Sequence, residues 1–248
     1  MKISIITPTF NSEQFLNYTL KSIKSQNYKN IEHIFIDNKS TDKTIDILER
    51  YKKKTNYKVI INSSKDKGIY HAFNKGLKIA SGDLITIINS DDFITGKNYI
   101  NEVVKKFKVK ELDFFYGNVR IVQRNNIKKT VRIWKSSIIK NEDYFKVPHP
   151  SFFIKKKFMK KYKIKFDTKY NIASDLDFII NCFKKSKNFF HFDKILICQR
   201  SGGTSQKFFN IFKANYEVYK IIKTHKLCYK LFFILNKIFF KICQVKLI

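Results

Sequence analysis

Asp91 and Asp92 stand side by side at the end of an apolar run, residues 84–89. Two adjacent carboxylates there are costly unless something positive compensates them. Hard oxygen donors in a loop at a strand end suit Mg2+ or Mn2+, bound jointly with the phosphates of a substrate. The competing reading is structural, with Asp92 capping the segment that follows and Asp91 left to solvent. Three more polar clusters follow apolar runs: Thr7-Pro8-Thr9-Phe10-Asn11, Asp37-Asn38, and Ser63 to Asp66. Loop solvation explains any one of them. Four in succession describe a ligand crevice. Neither GxxxxGK[ST] nor GxGxxG follows the first apolar run, so P-loop and dinucleotide-binding chemistry fall away.

For those groups to meet, the apolar runs must lie side by side. Residues 3–7 read as a buried strand, and 12–26 as a helix with Phe15, Leu20 and Ile23 inward. Residues 32–37 form a second strand, after which Ser40 and Thr41 are expected to cap a helix reaching about Lys54. Strands over 59–62, 84–89 and 113–118 alternate with helices over 69–81 and 97–108, the former ended by Gly82. This alternation predicts βαβ units and a mainly parallel α/β sheet. Ligands of such sheets sit beyond the carboxyl ends of the strands, where all four clusters fall.

The 248 residues suffice for a full core, and a 44% hydrophobic content excludes a disordered polycation. The formal net charge is +30, from 50 Lys+Arg against 20 Asp+Glu, which points to a polyanionic partner. A blander source competes: Arg occurs only at positions 50, 120, 124, 132 and 200, and the abundant Lys, Ile, Asn and Phe share AT-rich codons. Cys182, Cys198, Cys228 and Cys243 lack zinc-type spacing and read as buried or lipid-facing reduced thiols. The apolar stretch before Pro8 is too short for a signal peptide, and no uncharged apolar run reaches the ~18 residues of a membrane span. The expected compartment is the cytoplasm.

Four ordered motifs cover about the first 95 residues: IITPTFN over 5–11, FIDNKSTD over 35–42, DKGIYHAFNKG over 66–76 with ASGD over 80–83, and NSDD over 89–92. Together they resemble bacterial family 2 glycosyltransferases, inverting nucleotide-sugar enzymes of the GT-A fold. The resemblance implies that Thr7 and Pro8 line a nucleobase site and that Asp37 accepts a hydrogen from a uracil ring. Asp66 would lie near the nucleotide, and Asn74 and Lys75 near the diphosphate. Asp91 would contact the ribose or the metal. Asp92 would bind the divalent cation, Mn2+ or Mg2+, directly. His71 stands where many relatives have an acidic residue.

Beyond residue 118 the resemblance continues more weakly. In VPHPSFF (147–153), His149 would orient acceptor or phosphate, or serve only the structure between its two prolines. In IASDLDF (172–178), the resemblance implies a general base at Asp175 that takes the proton of an attacking hydroxyl, with Asp177 in reserve. Helix N-capping by Ser174 or Asp175 is the competing reading. Residues 202–205 read as a flexible loop near the site. The processive QxxRW signature is absent, which favours single-sugar addition.

The implied organisation is a nucleotide-sugar-binding half (1–118), an acceptor-binding and base-bearing half (119–205), and a basic amphipathic helical region (206–248). In that tail Lys223, Lys226, Lys230, Lys237 and Lys241 share one arc, opposite a broad apolar face that includes Leu231, Leu235 and Phe239. Such a helix suits an anionic membrane surface at the inner face of the cell membrane, or packs on the catalytic domain. The expected partners are a UDP-type nucleotide sugar and a saccharide or polyprenyl-linked saccharide, in surface-polysaccharide or lipopolysaccharide assembly. Nucleic acid is not among them: no RNA-binding signature appears, and acidic strand ends repel phosphates unless a metal intervenes. A sugar nucleotidyltransferase is a nearer rival, but residues 7–11 lack the glycines of its first loop.

Overall fold

The computed structural model describes residues 1–140, 142–202 and 208–227, together with Leu235, Lys237, Phe239, Phe240 and Cys243. The expected alternation runs through β1 (Ile3–Thr9), α1 (Glu13–Lys24), β2 (Ile31–Asp37), α2 (Thr44–Lys53), β3 (Lys58–Ser63), α3 (Ile69–Ile79) and β4 (Leu84–Ile87). β1 pairs in parallel with both β2 and β4, and β2 with β3. Alternation along β1 sends Ile3 and Ile5 into one core cluster and Ile6 into the other. α3 packs so closely on the Ile6 side that a Cβ on Gly76 would lie 2.4 Å from the Ile6 side chain. α2 starts later than Ser40 and Thr41 suggest. Ser40 turns back to Asp37, the Thr41 N–H donates to Asn11, and Asp42 instead accepts from the Thr44 N–H at 3.0 Å.

The remaining elements are β5 (Phe93–Ile94), α4 (Tyr99–Val109), β6 (Phe114–Gln123), β7 (Asn126–Trp134), β8 (Phe153–Lys155), α5 (Lys156–Lys161), α6 (Ser174–Lys185), β9 (Phe189–Arg200) and α7 (Phe208–Thr224). Here the sheet is mixed, which corrects the mainly parallel expectation. β8 runs antiparallel to β4 and β6, β7 antiparallel to β6, and β5 antiparallel to β9, while β6 and β9 are parallel. The physical reason is the connections: β6 and β7 form a hairpin, which forces antiparallel pairing, whereas only crossovers allow parallel pairing. The order is β3-β2-β1-β4-β8-β6-β9-β5, with β7 beside β6. β6 passes through residue 118, so one sheet serves both halves. Five residues link β4 to β5, yet four ladder steps, ~19 Å on a flat sheet, separate them. The sheet curls to close that gap.

Aromatic rings fill the space beneath the second half. Phe114 is fully buried, with ring centroids of Phe183, Phe152 and Phe189 at 4.8, 5.3 and 5.5 Å. Phe166 stacks on Phe178 at 4.4 Å, which seats α6. Cys182 and Cys198 are free and buried, as expected, whereas Cys243 is exposed. Cys228, residues 203–205 and most of the Lys-bearing tail lie outside the described residues. Among the described residues no helix is long and apolar enough to cross a membrane.

At the N-terminal edge of the strands, Glu32 is fully buried. It accepts from Lys2 Nζ at 2.6 Å, Ser4 Oγ at 2.6 Å, and the N–H and hydroxyl of Ser81. Burial pushes its carboxyl up, but these donors outweigh burial and hold it at about 2, against an ordinary 4.5. A depressed native pKa means stability that is complete above pH 4.5 and disappears as pH falls toward 2. Glu32→Gln is expected to cost about 3 kcal/mol at neutral pH and to flatten the acid limb of the stability curve. Urea unfolding at pH 7 and pH 3 checks this; a wild-type acid limb in the variant would contradict it.

Candidate active site

Asp37 ends β2 with 0% exposure and all its acceptor positions taken. Thr9 Oγ1 donates at 3.0 Å, the Ser40 N–H at 3.0 Å, Ser63 Oγ at 2.7 Å, and the Ser40 hydroxyl completes the set. One carboxylate thus ties the ends of β1, β2 and β3 into a floor. A nucleobase N–H reaches it only if one of these donors lets go. Thr7 is expected to line the nucleobase site. It is fully buried, and its hydroxyl meets Nε2 of His33, whose imidazole burial pushes down to about 3. Pro8 stays partly open. Asp66 sits half-buried at the rim, its N–H donating to Asn38 Oδ1 at 2.8 Å and its Oδ1 accepting from the Gly68 N–H at 3.0 Å. Gly68 has φ +126°, which suits glycine alone.

Asn74 and Lys75, expected near a diphosphate, are committed elsewhere. Lys75 Nζ donates to Ser64 Oγ at 3.0 Å and Lys65 O at 2.7 Å, fastening the loop between β3 and α3. The Asn74 amide spans the Phe166 backbone, donating at 2.8 Å and accepting at 3.1 Å.

Asp91 and Asp92 differ in burial. The Asp92 side chain is buried, and burial, then the Asp91 charge, push its carboxyl well above the ordinary value. Its Oδ2 accepts from Asn89 at 3.0 Å, while Oδ1 has no partner among the described residues. Asp91, 29% exposed and 3.3 Å from Arg124 Nη1, holds the accessible position. Thr19 Oγ1 fastens the turn by donating to the Ser90 and Asp92 carbonyls at 2.9 and 2.6 Å. Arg200, 3% exposed at the end of β9, lies over the rings of Phe15 and Tyr18 and donates to Arg124 O at 2.6 Å. Its Nε and Nη2 have no partner among the described residues. Two guanidiniums therefore stand by the acidic turn.

The base-bearing side forms around the start of α6. Asp175 is 28% exposed; its Oδ2 lies 3.1 Å from His149 Nδ1, and its Oδ1 accepts from the Leu176 N–H at 2.9 Å. Burial pushes its carboxyl up, but the hydrogen bond and charge of His149 outweigh that and hold it below the ordinary 3.8. Neither Ser174 nor Asp175 caps the helix in the usual way. The segment leading into the helix is held from α7 instead: Glu217, 5% exposed, accepts the N–H groups of Asn171, Ile172 and Ala173 at 3.0, 2.8 and 3.0 Å. Asp177 is buried against His225 Nε2 at 2.7 Å and lines a different cavity from Asp175. That cavity arrangement makes Asp177 a tie to the C-terminal region and leaves Asp175 as the exposed carboxylate. Arg200 joins the two sides, since it lines the cavity that opens on Asp175.

A curled mixed α/β sheet with helices on its faces and carboxylates at its strand ends defines a GT-A glycosyltransferase fold. S. aureus TarS, solved with UDP-GlcNAc, shares that fold at a TM-score of 0.73 and 21% identity, over 91% of this chain and 65% of that one. An uncharacterized glycosyltransferase of Methanocaldococcus jannaschii is 26% identical over 230 residues, 90% of this chain and 79% of its own length. The poly(ribitol-phosphate) beta-glucosyltransferase of Bacillus spizizenii is 31% identical over 75% of this chain, which spans only 30% of that relative. The chain belongs to glycosyl transferase family 2, whose profile matches residues 4–183.

Arg124, Arg200 and Glu217 were not among the residues singled out from sequence, though each carries a signal. Arg occupies five positions in a chain whose other cations are Lys, and Glu217 is the one acidic residue in 206–248. Replacing Glu217 by Ala is expected to free three N–H groups, each worth about 1–3 kcal/mol when buried and unpaired. Amide exchange at residues 171–173 should then rise roughly tenfold to a hundredfold by mass spectrometry or NMR. Unchanged protection would show that the carboxylate does not hold that segment.

Proposed function

We propose that this chain moves a single sugar from a nucleotide-diphosphate donor, UDP-linked, to a hydroxyl of a saccharide or lipid-linked saccharide, with inversion, in bacterial cell-surface polysaccharide assembly. The observation that carries this reading is Asp175. Its carboxylate is part-exposed at the wall of a cavity, kept ionised by His149, and joined through Arg200 to the acidic turn. Asp175 takes the proton of the acceptor hydroxyl as that oxygen attacks the anomeric carbon. The bond from that carbon to the nucleotide diphosphate breaks, and the diphosphate leaves with the electron pair. Arg124 and Arg200 offer charge to the departing phosphates. The floor tied by Asp37, with Pro8 and Asp66 at its rim, holds the nucleotide. The relative named for poly(ribitol-phosphate) and the UDP-GlcNAc complex of TarS support a UDP-sugar and a cell-envelope acceptor.

The acidic turn also fits a divalent cation. Among the described residues no cluster of three His, Cys, Asp or Glu is present. A Mg2+- or Mn2+-type site needs only one or two carboxylates plus substrate phosphates, and Asp91 is the accessible one. Bound there, the ion would neutralise charge on the leaving diphosphate.

Asp175→Asn should lower transfer about a hundredfold or more while circular dichroism and UDP affinity stay at wild-type values. Full activity would remove the base from Asp175. The native carboxyl is held low, so the acid limb of kcat should fall below the ordinary aspartate range. His149→Ala removes the largest of the groups that oppose burial and should move that limb upward; an unmoved limb would show that His149 does not hold the charge.

The lysine-bearing tail supports a place on the cytoplasmic face of the membrane. Truncation after Leu227, which spares His225, is expected to reduce sedimentation with anionic liposomes. Undiminished sedimentation would refute tail docking.

A further inference from the structure

We propose that the outer face of α7 is a docking surface for a bilayer whose headgroups are anionic. The proposal rests on the membrane setting given above and not on the tail. At about 100° per residue, Phe212, Lys213, Tyr216, Tyr219, Lys220 and Lys223 share an arc of about 120°. The three aromatic rings are 66%, 59% and 43% exposed, in chain order, and the three lysines are exposed beside them. Glu217 is the one acidic residue of α7, and it turns inward to the N–H groups of residues 171–173. The opposite face is committed to the protein. Ile221 and Ile222 are fully buried, and Ala214, Asn215 and Val218 line the cavity that opens on Asp175. α7 is thus one wall of that cavity, with its cationic, aromatic side turned outward.

Charge and ring chemistry together say what covers that side. A pocket of about 410 Å³ lies between α7 and residues 169–171, with Lys213, Tyr216, Lys220 and Lys223 around it. Glu217 also lines it, its carboxylate already taken by the three N–H groups, and Lys169 is paired with Asp167 at 2.7 Å. Lys213, Lys220 and Lys223 form no ion pair among the described residues. Lys220 Nζ instead lies over the Tyr216 ring at 4.4 Å. Three ammonium groups against one carboxylate suit headgroup phosphates. Tyrosine suits the same boundary, with its ring in the apolar layer and its hydroxyl in the wet one. Lysine stems lie along that apolar layer while their charges stay among the headgroups. A second copy of this chain suits the face poorly, since a twofold contact would bring the same three lysines together on chains of net charge +30. Docked on α7, the cavity at Asp175 stands one helix diameter, about 10 Å, from the headgroups, within reach of a saccharide carried on a lipid.

The test titrates the full chain with vesicles of phosphatidylcholine alone and with vesicles that carry about one third phosphatidylglycerol. The wild type is expected to bind the anionic vesicles about a hundredfold tighter. A triple variant, Lys213→Gln with Lys220→Gln and Lys223→Gln, should lose about fivefold per lysine and so about a hundredfold in all. A double variant, Tyr216→Ser with Tyr219→Ser, should weaken binding severalfold. Circular dichroism and UDP affinity are expected to stay at wild-type values in both. Wild-type vesicle affinity in both variants would overturn the proposal and leave the tail as the docking surface. Equal binding to neutral vesicles, or none to either kind, would overturn it as well, the latter together with the membrane setting. Release from the vesicles by millimolar inorganic phosphate would overturn it by making the pocket a site for free phosphate. A wild-type dimer in sedimentation equilibrium that the tyrosine variant abolishes would assign the face to a second copy. Failure of the wild-type chain to bind UDP, with vesicle binding as expected, would count against the transferase reading instead.

Discussion

The curl of the sheet is the constraint on which the site depends. β4 ends at Ile87 and β5 begins at Phe93, yet β5 pairs with β9 at the far end of the strand order. The acidic turn is the short strap between them. Pulling β9 over to meet β5 brings Arg200 beside that turn, and the end of the β6–β7 hairpin brings Arg124 with it. Donor side and acceptor side are therefore one curved sheet seen from its two ends, and Arg200 marks the seam.

Buried carboxylates hold this arrangement more than exposed ones do. Glu32 binds the N-terminal edges of β1, β2 and β4, Asp37 binds the carboxyl ends of β1, β2 and β3, and Glu217 fixes the start of α6. Each is surrounded by donors, as a buried charge must be. Among the carboxylates of the motifs at the strand ends and at the start of α6, Asp66, Asp91 and Asp175 stay part-exposed, open to a substrate or an ion. In a chain with so few acidic residues, burial sorts structural from chemical roles.

The sequence made the first half legible because its strands are apolar runs separated by amphipathic helices, a pattern governed by local periodicity. The second half resisted because its pairing is set by distant partners: β8 is three residues long and finds β4 and β6 only in the folded chain. Motifs located the strand ends but not the direction of each side chain. Thr7 and Asp92 fall inside the motifs and point into the core, and Lys75 spends its charge on its own loop. Asp175, the proposed base, lay within reach of motif comparison. The carboxylate that holds the segment before it did not, since Glu217 comes from 42 positions further along the chain.

The strand order also sets a timetable. β4 pairs with β1, which precedes it, but its other neighbour, β8, begins at Phe153, and β5 pairs with β9 near Cys198. In chain order the ends of β1, β2 and β3 thus precede the partner of that apolar edge, and the acidic turn precedes Arg200. Such late, non-local closure makes folding slow and leaves that edge open to pairing with other chains. The seam across the acidic turn accordingly closes only once β9, far along the chain from the turn itself, is in place.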